Sequence, residues 1–163
     1  MSLHDVMLEE LRDLYSAENQ LVKALPQLVK HAKNEELKNG ISQHLAQTEE
    51  HVERLKQIFA QLKEKPTGKH CKGMEGLLGE GKEVMKEDEK GDLYDVSLIG
   101  AATRVEHYEI AAYNTLIAIA NATGKKEIAA LLEQTLQEEE DTRDELEDLL
   151  SQFLERSATR TAD

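Results

Sequence analysis

Apolar residues return every three to four positions through most of this chain, and that period sorts the sequence into helices. At 100° per residue, Met7, Leu11, Leu14, Leu21, Leu25 and Leu28 gather on one side of a first helix. A second stripe holds Ile41, Leu45, Val52, Leu55, Phe59 and Leu62; a third Ile99, Ala102, Tyr113, Leu116 and Ala120; a fourth Ile128, Leu132, Thr135, Leu146, Leu149 and Phe153. The spacing predicts long helices over about 3 to 33, 35 to 64, 92 to 122 and 125 to 155. Turn and capping residues mark the breaks: Asn34, then KPTGK, KGD and ATGKK. Pro26 interrupts the backbone ladder of the first helix and predicts a bend there. Between residues 65 and 91, Met74, Leu77, Leu78, Val84 and Met85 predict a short extra helix lying across the others. No segment calls for a strand. Two short connections and one long one predict two antiparallel hairpins joined by a crossover: an all-α, up-down four-helix bundle about 45 Å long.

Composition adds limits to this picture. The 163 residues suffice for one domain, expected over residues 1–155; the apolar period fades afterwards, so residues 156–163 are expected to be disordered. A formal charge of −13 disfavours a direct grip on nucleic acid or anionic lipid, which draws on clustered Lys and Arg. Cys71 is the single cysteine, so no disulfide framework is available; its basic neighbours in KHCKG could activate the thiol, though a lone cysteine is usually inert. The opening MSLHDVMLEE lacks the apolar core of a signal peptide and no run matches a membrane span, so a cytoplasmic protein is expected.

The apolar stripes carry polar breaks that need an explanation. Glu18 sits within the first, His44, Thr48 and His51 within the second, Glu106 and Glu109 within the third. In the fourth, Glu139 lies near the centre, Glu138 at the edge and Glu140 outside. Folding helix two back on helix one puts Glu18 opposite about residue 50. Folding the last helix back across Gly124 puts Glu106 and Glu109 opposite residues 139 to 142. An unpaired carboxylate in such a core costs several kcal/mol or gives up its charge. Several together repel one another, and bound cations supply the charge they lack. Glu18, Glu106, Glu109 and Glu139 are therefore candidate metal ligands. His51 reads either as a further ligand or as a buried histidine bonded to a carboxylate, and His44 as a supporting or core residue. His107, Glu50 and Glu53 point outward.

The strings DLYSAENQL, KGMEGLLGEG, VEHYEIAAYNTL and TLQEEEDT, in this order, resemble the bacterial YciE/YciF stress-protein family, a ferritin-like group, over about residues 3 to 153. The resemblance implies a rubrerythrin-like bundle, a homodimer and a dinuclear metal site, carried over onto Glu18, Glu106, Glu109 and Glu139. Apolar residues expected on outer faces, Leu8, Ile58 and Ile119, also suggest a homodimer.

This chain departs from the wider ferritin-like pattern of a Glu-x-x-His motif on each of two helices. Helix two offers Thr48-x-x-His51 and the last helix Glu139-x-x-Thr142, leaving slots that water, Glu49, Glu53 or Glu138 could fill. An oxygen-rich set suits iron, or in its place manganese, over structural zinc. The function expected is that of a stress-associated protein with a dinuclear iron or manganese site and redox activity toward peroxide or oxygen. The alternatives are a metal-sequestering protein and a dimeric scaffold. With no cysteine-rich electron module present, a catalytic site would need a separate redox partner.

Overall fold

The computed structural model describes residues 1–87 and 92–160. It contains α1 (Leu3–His31), α2 (Glu35–Gln61), α3 (Lys72–Met85), α4 (Asp92–Ala122) and α5 (Lys126–Arg160), with no strand among the described residues. α1 and α2 form one antiparallel hairpin, α4 and α5 the other, and α2 packs on α5 and α1 on α4 to close the bundle. The crossover carries α3, which lies against α4 and α1. This is the architecture the periodicity predicts.

The ends of the helices follow local chemistry. Ser2 and Asp5 form a reciprocal capping box on α1, and Asn34 accepts from the amides of Glu36 and Leu37 to start α2. Pro26 lies inside α1 on an exposed face. α4 ends at Gly124, whose φ of 70° favours glycine, with Lys125 N donating to Ala120 O and Gly124 N to Asn121 O. α2 ends the same way at Lys63, with φ 58°: Glu64 N reaches Phe59 O and Lys63 N reaches Ala60 O. Buried Asp95 of α4 accepts from Lys33 N and Asn34 N at 2.9 and 2.7 Å, tying the α1–α2 turn to the second hairpin.

Cys71 caps α3: its sulfur accepts from Met74 N at 3.4 Å and meets the Tyr108 hydroxyl at 3.0 Å, and that hydroxyl donates to Asp13 at 3.1 Å. Burial pushes the thiol pKa up, so the basic neighbours do not activate it.

Two expectations need correction. α5 runs on to Arg160, so residues 156–160 are helical; Glu155, Arg156 and Ala158 are good helix formers, and the helix continues without an apolar stripe. Residues 161–163, and Lys90 and Gly91 of the KGD turn, lie outside the described residues. Leu8 and Ile58 do not face outward: both are buried within the single chain, and Ile119 is half-buried. α1 packs against three helices, which widens its buried face beyond one stripe.

Candidate metal centre

The hairpins bring the polar breaks to one depth in the core. Glu18 of α1, His44 and His51 of α2, Glu106 and Glu109 of α4 and Glu139 of α5 are all buried, none more than 4% exposed. His44, Glu106, Glu109 and Glu139 each turn one donor atom into a space where these atoms lie within 4.8 Å of one another, and Glu18, His51 and Glu139 form an adjoining group of the same kind. Glu139 belongs to both. Its Oε1 stands 3.0 Å from His51 Nδ1 and its Oε2 3.9 Å from His44 Nε2, so its two oxygens face the two imidazoles.

Proton inventory shows why this cluster is unusual. Among the described residues, nine buried side-chain nitrogen and oxygen atoms lack a hydrogen-bond partner. Eight belong to these six residues: Glu18 Oε2, His44 Nε2, His51 Nδ1, Glu106 Oε2 and both oxygens of Glu109 and Glu139. His44 Nε2 and Glu106 Oε1 are 3.2 Å apart, and His51 Nδ1 lies 3.5 Å from Glu18 Oε1, without the alignment of hydrogen bonds. Carboxylate oxygens and imidazole nitrogens face one another across a common space. Buried polar groups are ordinarily paired, so this donor set fits a cation.

The remaining bonds aim the donors. Thr142 Oγ1 donates to Glu138 O, leaving its lone pairs for His44 Nδ1 at a long 3.4 Å; this favours the tautomer with a bare Nε2 facing the cluster. Tyr113 donates to Glu18 Oε1. On the outer side of His51, Nε2 meets Glu138 Oε2 at 2.8 Å, and Arg54 grips both Glu138 oxygens at 2.7 and 2.9 Å while also reaching Thr135. Arg54 and Glu138 thus hold the imidazole from behind and leave Nδ1 for the centre. This carboxylate-to-histidine support is typical of metal sites.

Electrostatics follow the same geometry. Burial, with neighbouring acids adding to it, pushes Glu106 up to about 7, Glu139 up to about 8 and Glu109 well above the usual carboxylate range. Burial lowers His44. Burial also opposes the charge on His51, but the carboxylates of Glu18 and Glu139 outweigh it and carry the imidazole up to about 11. Protons therefore do in the metal-free protein what a cation would otherwise do.

All five residues singled out from the sequence, Glu18, His51, Glu106, Glu109 and Glu139, come together, and the structure adds His44, expected only as a supporting residue. His44 lies beside Thr142, where a Glu-x-x-His motif on α5 would place its histidine. Thr48 turns its hydroxyl to His44 O and takes no part. Glu49 and Glu53 are exposed, and Glu138 stands behind His51; none fills the gap. The carboxylates number four and the imidazoles two, the same inventory as in two Glu plus two Glu-x-x-His.

Residues 2–159 match a family described as a domain of unknown function, DUF892. The chain belongs to that family. It is 39% identical to protein YciF of Escherichia coli K12 over 162 residues, 99% of this chain and 98% of that one. The crystal structure of that E. coli stress protein superposes with a TM-score of 0.91, covering 94% of this chain and 98% of the other. YcfI of Rhodopseudomonas palustris, also 39% identical, superposes at 0.88 over 90% of this chain and 94% of its own. A Xanthomonas campestris protein at 20% identity and TM-score 0.75 shares the fold. The resemblance noted from four short strings thus extends over nearly the whole DUF892 domain. No helix among the described residues is long and apolar enough to cross a membrane.

Proposed function

We propose that this DUF892 protein is a cytoplasmic, stress-associated, ferritin-like metalloprotein, working as a homodimer, with a dinuclear iron or manganese site that serves redox chemistry on peroxide or dioxygen. The observation that carries it is the sharing of Glu139 between two adjoining donor groups whose inward atoms are otherwise unbonded. His44, Glu106, Glu109 and Glu139 would hold one ion and Glu18, His51 and Glu139 the other. Two divalent ions balance four carboxylates when both imidazoles are neutral. The oxygen-rich set favours iron or manganese over structural zinc, which draws on cysteine. Iron or manganese bound here would supply electrons to an oxygen substrate and take them back from a separate reductant.

The chain's own residues do the rest. Arg54 and Glu138 fix the His51 ring, Thr142 fixes the tautomer of His44, and Tyr113 orients Glu18. Loading requires protons to leave His51 and the raised carboxyls, so affinity rises with pH. Because a side cavity reaches His44 and Glu106, a small oxidant can enter from solvent.

Elemental analysis of protein purified without chelator tests the site, with two ions of iron or manganese per chain expected. Iron-loaded protein supplied with a reductant is expected to consume hydrogen peroxide over many turnovers. Metal-free protein that takes up neither ion would overturn the assignment; stoichiometric uptake without peroxide consumption would reduce it to sequestration.

A further inference from the structure

A cavity of about 680 Å³ opens beside the metal centre and is lined by residues from all five helices, within the range of about 300 to 1,000 Å³ typical of small-molecule sites. Its walls are mainly aliphatic, Leu25 and Leu28 of α1, Leu78 of α3 and Ala102 of α4 among them. Its inner end is not aliphatic: His44 and Glu106 line it, 4% and 2% exposed, and each carries an atom with no hydrogen-bond partner. Exposed Lys23, Lys82 and Lys86 also line it, and no ion pair holds any of them among the described residues. Of the acids at its edge, Glu75 is held by His70 at 2.9 Å, and Glu145 is exposed.

Three lysines around one apolar opening, without an ion pair among the described residues, stand out on a chain of net charge −13. We infer that this cavity binds a single-chain amphiphile with an anionic head, of the fatty-acid class, its carboxylate at Lys23, Lys82 and Lys86 and its hydrocarbon chain running inward toward His44 and Glu106. A solvated carboxylate at the mouth keeps most of its hydration and meets cations, whereas the chain replaces water against apolar walls. The buried inner end, where His44 and Glu106 are 4% and 2% exposed, suits a narrow hydrocarbon chain better than a helix of a second copy, about 10 Å across. This assignment deepens the metalloprotein reading by naming what would lie beside the centre, and rests on that reading only for the significance of the inner end.

Calorimetric titration of the full chain with dodecanoate below its micellar concentration tests it, with metal-free and metal-loaded protein run in parallel. One dodecanoate per chain is expected, with a Kd in the micromolar range, and much weaker binding of dodecyltrimethylammonium, which has the same chain and the opposite charge. K82E/K86E, a change confined to exposed positions, should weaken dodecanoate about tenfold and narrow the difference between the two probes. A102F, with its fold checked by circular dichroism, should abolish binding of both by filling the cavity. Equal affinity for the two head groups, or dodecanoate binding unchanged in A102F, would overturn the inference. So would light scattering in which A102F turns a dimer into a monomer, since the cavity would then be an interface between copies. Binding of dodecanoate to a protein that takes up no iron or manganese would leave the cavity assignment standing and remove only the metal reading.

Discussion

Replacing Glu139 by Gln separates a metal centre from an ordinary buried polar cluster, because Glu139 alone belongs to both donor groups. Gln keeps the volume and removes the charge that faces both imidazoles. Each ion present at a hundred times its Kd stabilises the folded state by about 2.7 kcal/mol, so two contribute about 5 kcal/mol. At about 2 to 4 °C per kcal/mol for a domain of this size, chelation should lower the parent's Tm by about 10 to 20 °C. The mutant should show almost none of that shift and bind neither ion. Its metal-free stability is expected to move the other way. With Glu139 pushed up to about 8 from an ordinary 4.5, keeping it protonated in the folded protein at pH 7.5 costs roughly 3 to 4 kcal/mol, a cost that Gln does not carry. Calorimetry of parent and mutant, with chelator and with manganese, measures both quantities, and elemental analysis counts the ions. A metal-free mutant less stable than the metal-free parent by more than about 1 kcal/mol would refute the reasoning, since it would mean that the contact of Glu139 with the His51 imidazolium, 3.0 Å away, outweighs the cost of burying the acid. Retention of both ions by the mutant would refute it equally.

Metal-free protein should lose stability as pH rises from about 6.5 to 9, read as a falling Tm. Glu106, Glu139 and Glu109 have folded pKa values above the unfolded one, so their contribution is complete below pH 4.5 and is lost as pH rises through about 7 for Glu106 and about 8 for Glu139, with Glu109 also held well above the usual carboxylate range by burial, and His51, raised from 6.5 to about 11, acts in the same direction. His44, lowered by burial, opposes this only below about 6.5, and a Tm that climbs between pH 6.5 and 9 would reject the assignment. R54M should weaken metal binding about 10- to 100-fold in a manganese titration while leaving all six candidate ligands in place, because Glu138 loses the guanidinium that aims it at His51; unchanged affinity would make Arg54 a packing residue only. In G73A the new Cβ would lie 2.6 Å from the Tyr108 ring, displacing the hydroxyl that Cys71 and Asp13 share. Thiol labelling of Cys71 should then accelerate about tenfold, equivalent to about 1.4 kcal/mol of easier local opening, whereas an unaltered rate would show that Tyr108 moves without freeing the sulfur.

The helices were legible because each buries a stripe with a 3.6-residue period, and Asn34 and Gly124 mark their ends with residues that do specific work there. Leu8 and Ile58 misled because a phase angle measures direction around one helix, and α1 has neighbours on more than one side. Arg54 escaped notice for a different reason. It lies one turn past His51, but a guanidinium on a helix carries no sign of a role that depends on Glu138 from another hairpin. The charged neighbours of Cys71 in the chain suggest a nucleophile, whereas Tyr108, Ser16 and Gln20, all distant in sequence, decide its environment.

His44 shows most clearly what a helix-by-helix reading leaves out. Counted by motif, the chain lacks two ligands, since Thr48 and Thr142 stand where a glutamate and a histidine are expected. Counted over the bundle, candidate donors of both types are present. His44 precedes His51 by seven residues, so the two imidazoles share a face of α2 two turns apart, and the small side chain of Thr142 leaves room for the second ring. Glu106, one turn before Glu109, restores the carboxylate that Thr48 omits. A cation responds to the charge and direction of the atoms around it, and the backbone that delivers them is immaterial provided the depth is right. What such a core needs is therefore the total of four carboxylates and two imidazoles, and a donor supplied from another position keeps that total intact where the local motif is absent. If so, restoring the motif should not improve the site. T142H, which recreates Glu-x-x-His on α5, would press a second imidazole against His44 and is expected to weaken metal binding; tighter binding by T142H in the same manganese titration would show that His44 is not a ligand.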